Sequence, residues 1–179
     1  MERLRRFIWY LAGRLFLLLT LLSLFTVTFY YAMNASNIYI VLKDGMAKRA
    51  QVIMMDEDAS ELTKFFQSSY LQRDQNLQIA LEGKSPYTYY TVRGIDHRLK
   101  MTWMWCWPWD TTARAEFTET IPRIDGRVKS SSADAARALY GDGFEYPPKW
   151  QGGRYAATLV KENGQWHVRS LTLVSQVEE

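Results

Sequence analysis

The sequence predicts an α+β protein: an N-terminal transmembrane helix, then two helices packed on a curved antiparallel sheet of about four to five strands. Three observations predict it. A charge-free apolar run fills residues 15–33, a stripe of helical period follows it, and Asn163-Gly164 separates two alternating apolar runs near the C-terminus.

The apolar run decides most. LFLLLTLLSLFTVTFYYAM holds 19 residues without a charge. At about 1.5 Å of rise per residue it spans about 29 Å, close to the hydrocarbon thickness of a bilayer. A cleaved secretory signal has a shorter apolar region and a small-x-small site. Here cleavage after Ala35 would put Met33 where a small residue is wanted, so the segment reads as an uncleaved signal-anchor. Residues 1–14 form a basic tail, with Arg3, Arg5, Arg6 and Arg14 against one acid, Glu2. Under the positive-inside rule the tail stays in the cytoplasm. Lys43, Lys48 and Arg49 lie beyond the span, where Asp44 and distance from the membrane weaken their vote. Residues 34–179 are then extracytoplasmic, in the periplasm or cell-wall space of a bacterium. Trp9 and Tyr10 at one end, and Tyr30 and Tyr31 at the other, suit the headgroup regions of a plasma (inner) membrane.

Charge supports this division. The chain has 22 Lys and Arg against 19 Asp and Glu. Setting aside the four arginines and one glutamate of the tail leaves 18 bases and 18 acids. The basic pI near 8.9 is therefore a topology signal, and no nucleic-acid partner is expected. A single cysteine, Cys106, excludes an internal disulfide and a cysteine zinc cluster; it reads as a buried small hydrophobe. With only His97 and His167 besides, no metal or cofactor is expected.

In the outer domain, residues 38–55 read as a helix with Ile38, Leu42, Met46 (or Gly45), Ala50 and Ile53 on one stripe. Only Asn34, Ala35 and Ser36 separate it from the span, so the two can be continuous. Asp58 with Glu61 resembles a capping box that opens a second helix through Leu62, Phe65, Phe66, Ser69 and Tyr70. Strands are expected over 87–99, 100–107, 111–121, 155–161 and 165–174. The connection 122–153, rich in Gly, Pro and Ser, is long for a compact domain and reads as functional or mobile, with helical turns at 133–140.

The helix pair and the closing segment TLVKENGQWHVRSLTL resemble the nuclear transport factor 2-like superfamily. There the last hairpin runs from a charged turn through Gly, a polar residue and Trp into alternating apolar residues; Gly164, Gln165, Trp166, Val168 and Leu171 match. The resemblance covers residues 38–175 and implies an α+β cone with a pocket between sheet and helices. No clear third helix is present, which implies a reduced cone. Membrane-tethered domains of this type resemble assembly proteins of type IV secretion and conjugation machines, and outer domains of some sporulation and penicillin-binding proteins. That likeness implies a scaffold rather than an enzyme.

MTWMWCWPW is the least ordinary stretch. Strand alternation puts Trp103, Trp105 and Trp107 on one face and Thr102, Met104 and Cys106 on the other, while Pro108 ends or bends the strand before Trp109. Three readings stay open: core beneath the helices, a ligand wall for sugars or apolar molecules, or an exposed anchor for a partner or the nearby bilayer. Catalysis by the fold would need an acid or a His-Asp pair. Asp96 and His97 are adjacent but point to opposite faces, and Asp96 shares its face with Arg98 and Lys100, so both read as surface or rim residues. His167, out of phase with Trp166 and Val168, reads as exposed. Phosphate-loop, HExxH, GxSxG and EF-hand patterns are absent, and no catalytic residue is expected.

The sequence therefore points to a non-catalytic interaction or assembly module of a bacterial envelope complex. Its partners would be the bilayer and other envelope proteins or itself, met through Trp103, Trp105, Trp107 and Trp109 or through segment 122–153. A small-ligand or glycan-binding domain is the alternative, and a tethered isomerase or hydrolase the remoter one.

Overall fold

The structure, a computed structural model, describes residues 2–177. The span and the first domain helix form one unbroken helix, α1 (Glu2–Met55), of 54 residues. At about 1.5 Å per residue it is about 80 Å long. The stretch at residues 34–37 does not interrupt it, because nothing there forbids helical dihedrals. One helix near the N-terminus is thus long and apolar enough to cross a membrane, and its most apolar window has none of its surface buried in protein. Inside that window polar side chains are satisfied within the helix. Thr20, Ser23, Thr26 and Thr28 each donate a hydroxyl to the carbonyl four residues back, at 2.8–2.9 Å, which suits a segment with no water to bond. The helix ends where Asp56 takes a left-handed conformation (φ 57°), a position Asp tolerates better than bulkier residues.

The expected second helix is interrupted. A 3-10 helix, Ala59–Lys64, is capped by Asp58, whose carboxylate accepts from the Ser60 N–H at 2.9 Å. Glu61 does not close a capping box; Lys48 (3.0 Å) and Lys64 (2.9 Å) hold its carboxylate. Phe66 then leaves helical geometry, is buried, and forms a parallel bridge with Val168. Gln67 N–H donates to the Val168 carbonyl (3.0 Å), and Val168 N–H to that of Phe65 (2.7 Å). Two short helices follow, α2 (Ser68–Leu71) and α3 (Gln75–Leu81).

Six antiparallel strands come next: β1 (Tyr90–Ile95), β2 (Arg98–Trp105), β3 (Thr112–Thr120), β4 (Ile124–Val128), β5 (Gly153–Glu162) and β6 (Gln165–Gln176). The fold is α+β with two antiparallel sheets, β2-β3-β5-β6 and β1-β4. The strand expected over 87–99 differs: Pro86–Tyr89 is a 3-10 turn and the run breaks at Asp96 and His97. Strand β4 lies unforeseen inside the long connection, which also holds the expected helix, α4 (Ala133–Tyr140). Asn163 (φ 50°) and Gly164 (φ 84°) both turn left-handed between β5 and β6, as a two-residue hairpin requires.

The register joins these pieces. β1 and β2 run as one arm, β3 and β4 as the other, paired from Tyr90↔Val128 to Trp105↔Arg114. Asp96 N–H to the Arg123 carbonyl (2.9 Å) bridges the two sheets. Pro122, lacking an N–H, sits where the ladder splits. The result is one long bent hairpin alongside the outer part of α1. Its base, at Tyr90 to Val92, shares a cavity wall with α1 residues 52–55; its tip holds Trp107 and Pro108.

The core sits between α1 and the four-stranded sheet. Ile38, Leu42, Met46, Ala50 and Ile53 are buried as their period requires, against Phe66, Phe117, Leu159, Trp166 and Val168. Small residues let the layers close: Ala113, Ala115 and Ala157 line the sheet. A Cβ on Gly45 would stand 2.8 Å from the Phe65 Cβ, so this glycine is set by close approach.

Candidate functional site

The tryptophan row faces outward. Trp103, Trp105 and Trp107 are 43–47% exposed and Trp109 69%, so they do not form the core beneath the helices. A β-bulge causes this. Register passes from Met101↔Phe117 to Trp103↔Glu116, leaving Thr102 as the extra residue. Strict alternation from half-buried Leu99 and Met101 would turn Trp103 and Trp105 inward; the one-residue slip sends Met104 and Cys106 in and the tryptophans out. Cys106 is buried, as its composition suggested, and burial pushes its thiol pKa up.

The rings of Trp105, Trp107 and Trp109 form a continuous aromatic surface. Trp105 meets Trp107 edge-on at 5.2 Å between centroids, and Trp107 stacks on Trp109 at 5.3 Å. At these exposures the four indoles leave roughly 400 Å² of apolar surface, the size at which a patch marks an interaction site. The patch adjoins α1 where the apolar run ends. Tyr31 packs on Trp105 at 6.3 Å, and the Asn34 side-chain amide donates to the Pro108 carbonyl at 3.2 Å. Asn34 is buried by this contact. The residues expected to anchor, Trp9, Tyr30 and Tyr31, and those of the basic stretch, Arg3, Arg5, Arg6 and Arg14, lie along the same helix. Trp9 and Tyr30 are exposed.

Inside the domain one pair of opposite charges is closed on itself. Arg49 grips Asp74 with two hydrogen bonds, Nε to Oδ2 at 2.5 Å and Nη2 to Oδ1 at 2.9 Å, and both residues are buried. Asp74 also accepts from the Leu77 N–H (3.3 Å), capping α3, and from the Tyr70 hydroxyl (3.3 Å). Burial pushes the Asp74 carboxyl up, but the hydrogen bonds and charge of Arg49 outweigh it, and the net shift is downward. Burial likewise lowers Arg49, and Asp74 more than restores it, so the guanidinium stays charged. Tyr70 is raised, by burial first. Sequence reasoning missed this pair, although a signal existed: Arg49 lies three residues after Met46 and four before Ile53, on the buried stripe itself.

The two catalytic candidates differ: Asp96 lies at the surface, as expected, and His97 does not. Asp96 pairs outward with Arg98 (2.6 Å). His97, expected at the surface, has a buried side chain at the bend of the long hairpin, with Nε2 3.0 Å from Glu119 Oε1. Glu119 is fully buried, and its Oε2 has no hydrogen-bond partner among the described residues. Tyr155 lies near it: burial, then the Glu119 charge, raise its hydroxyl pKa. His167 is half-buried rather than exposed, with Nδ1 enclosed. Among the described residues no group of three or more His, Cys, Asp or Glu is placed to hold a metal ion.

A cavity of about 300 Å³ opens between α1, α3 and the sheet, lined by Ile53, Ile79, Tyr87, Trp150, Tyr155 and Leu173 among others. None of Trp103, Trp105, Trp107 and Trp109 lines it, so the row is not the wall of this cavity. Compared with known protein families, curated proteins and solved structures, the chain matches none.

Proposed function

We propose that the chain is a single-pass protein of the plasma membrane that serves as a non-catalytic interaction or assembly module of an envelope complex. Its N-terminal tail is cytoplasmic, held there by Arg3, Arg5, Arg6 and Arg14, and its domain is extracytoplasmic. One observation carries the reading: the helix suited to cross the membrane is also the central helix of the domain core. A domain threaded on its own anchor has no hinge, so it holds a fixed height and direction over the bilayer. That suits a scaffold, whereas a catalyst meeting diffusing substrate gains nothing from it.

Two further features support it. The buried charges Arg49 and Asp74 bind each other, which suits a role in holding the domain on α1. The far end of the long hairpin, with α4 and the loop after it, exposes Leu139 and Tyr146 away from the membrane, where another envelope protein or a second copy would dock. A helical layer over a four-stranded sheet also supports the likeness to a reduced nuclear transport factor 2-like cone, which is part of the proposal.

The test is cross-linking of the full-length protein in its native membrane, from photoreactive residues placed at Leu139 and Tyr146. A recurrent protein partner, or a copy of the chain, is the expected product. Recovery of the protein alone would count against an assembly role.

A second reading, small-ligand binding, moves from the tryptophan row to the cavity beside Trp150. That cavity is near the lower size limit of ligand sites, and the Trp150 indole N–H is enclosed without a partner among the described residues. A saturable emission change on ligand addition, lost in Trp150→Phe, would favour it over the scaffold.

A further inference from the structure

We infer that the tryptophan hairpin is a second membrane contact: Trp105, Trp107 and Trp109 seat in the lipid headgroup layer of the leaflet from which α1 emerges. The inference rests on the reading of α1 as a membrane span and deepens it by naming what covers the aromatic patch.

Depth along the helix carries the argument. The charge-free run, residues 15–33, spans about 29 Å at 1.5 Å per residue and matches a hydrocarbon layer about 30 Å thick. With Arg14 just before its inner end, its outer end falls at Met33, so Tyr31 marks the outer aromatic belt, and Trp105 packs directly on Tyr31. Asn34, one turn further out, holds the Pro108 carbonyl, so the hairpin tip is fixed at this height. The tip therefore stands at the level of the headgroups, with Trp107 and Trp109 extending the aromatic surface sideways from the helix.

The chemistry agrees. Between Met101 and Ala113 the only charged residue is Asp110, and its carboxylate turns back toward the Trp107 N–H at 3.4 Å. An uncharged patch of indoles, each with an apolar body and one N–H, fits the boundary between acyl chain and headgroup better than either water or hydrocarbon. A protein partner would have to enter between the hairpin and a bilayer that already lies against Tyr31. Two contacts, helix and hairpin, would also fix the rotation of the domain about the helix axis, which a single span leaves free.

The test uses the full chain carrying Trp9→Phe, reconstituted into phosphatidylcholine–phosphatidylglycerol vesicles with a nitroxide on the acyl chain, either close to the headgroup or close to the terminal methyl. The shallow label is expected to quench much of the tryptophan emission and the deep label little. The shallow-quenched part should vanish when Trp103, Trp105, Trp107 and Trp109 are all changed to Gln, or fall measurably in Trp109→Gln alone if the fourfold variant does not fold. Emission untouched by both labels but quenched by aqueous acrylamide would overturn the inference, as would emission shielded from labels and acrylamide together, which would mean a protein cover. Phe25→Trp, with Trp9 and the four hairpin tryptophans changed to Phe, separates the two failures. Deep quenching there with no hairpin quenching removes only the second contact; no deep quenching removes the span, and the inference with it.

Discussion

The two halves of α1 solve opposite problems with one backbone. Residues 15–33 are apolar on every side, and large side chains such as Leu18, Leu22 and Phe25 stay exposed in the protein. Residues 38–55 bury the stripe of Ile38, Leu42, Met46, Ala50 and Ile53 in the domain and leave Tyr39 and Ile40 exposed beside it. The first half suits a solvent of lipid, the second a protein core, and the change occurs within one turn at Asn34. The helix long and apolar enough to cross a membrane is thus the domain's own central strut and not a tether attached to it. Each half can be disturbed separately.

The largest effect is expected in the half that lies in the domain core. Arg49→Ala leaves Asp74 as an uncompensated buried charge and should destabilise the domain by about 3–5 kcal/mol in denaturant unfolding. Arg49→Met with Asp74→Leu removes both charges and should recover much of that loss. Membrane insertion should be unchanged in either variant, as checked by resistance to alkaline extraction.

Breaking the join comes next. Ser36→Pro removes the N–H that bonds the Ala32 carbonyl and clashes with that turn, at a cost of about 3 kcal/mol. Both halves should persist while their fixed relation is lost, read as increased rotational freedom of a spin label on the domain.

The glycines make the comparison sharper. A Cβ at Gly13 meets nothing within 4 Å, so Gly13→Ala should be neutral or improve helicity. At Gly45 the same methyl group meets Phe65, so Gly45→Ala should lose about 1–3 kcal/mol to overpacking, less the helix-propensity gain. Unfolding midpoints of the two variants check this. Asn34→Ala should cost about 1 kcal/mol by removing the hydrogen bond to Pro108.

Acid should reach the domain through Asp74. Its folded pKa lies below the ordinary value of 3.8, so the folded state binds the proton less readily than the unfolded chain. The stability this contributes is complete above that ordinary value and is lost as pH falls through the depressed one. Unfolding midpoints should therefore drop below about pH 4, and the drop should shrink in the variant lacking both Arg49 and Asp74.

Much of this was legible in the chain. The buried stripe from Ile38 to Ile53 and the Asn163-Gly164 hairpin follow from periodicity and turn chemistry, because each signal is local. The breaks were not legible. Phe66 abandons a helix to bridge Val168, 102 residues away in sequence, and no local pattern records such a partner. The facing of Trp103 and Trp105 depended on one extra residue at Thr102, and alternation alone cannot locate a bulge. His97 was misplaced for a similar reason, since Glu119 draws it inward from the opposite arm of the hairpin. Strand β4 was hidden in a segment whose Gly and Pro content reads as loop.

The most direct test of the central claim is a nitroxide scan of residues 24–44 in reconstituted vesicles, in a Cys106→Ala background. Continuous helical periodicity through residues 34–37 is the predicted result, with lipid access on all sides before Tyr31 and water access on one side only after Ile38. A loss of periodicity at residues 34–37, with independent motion on either side, would contradict it: the domain would then hang from its anchor instead of being built around it.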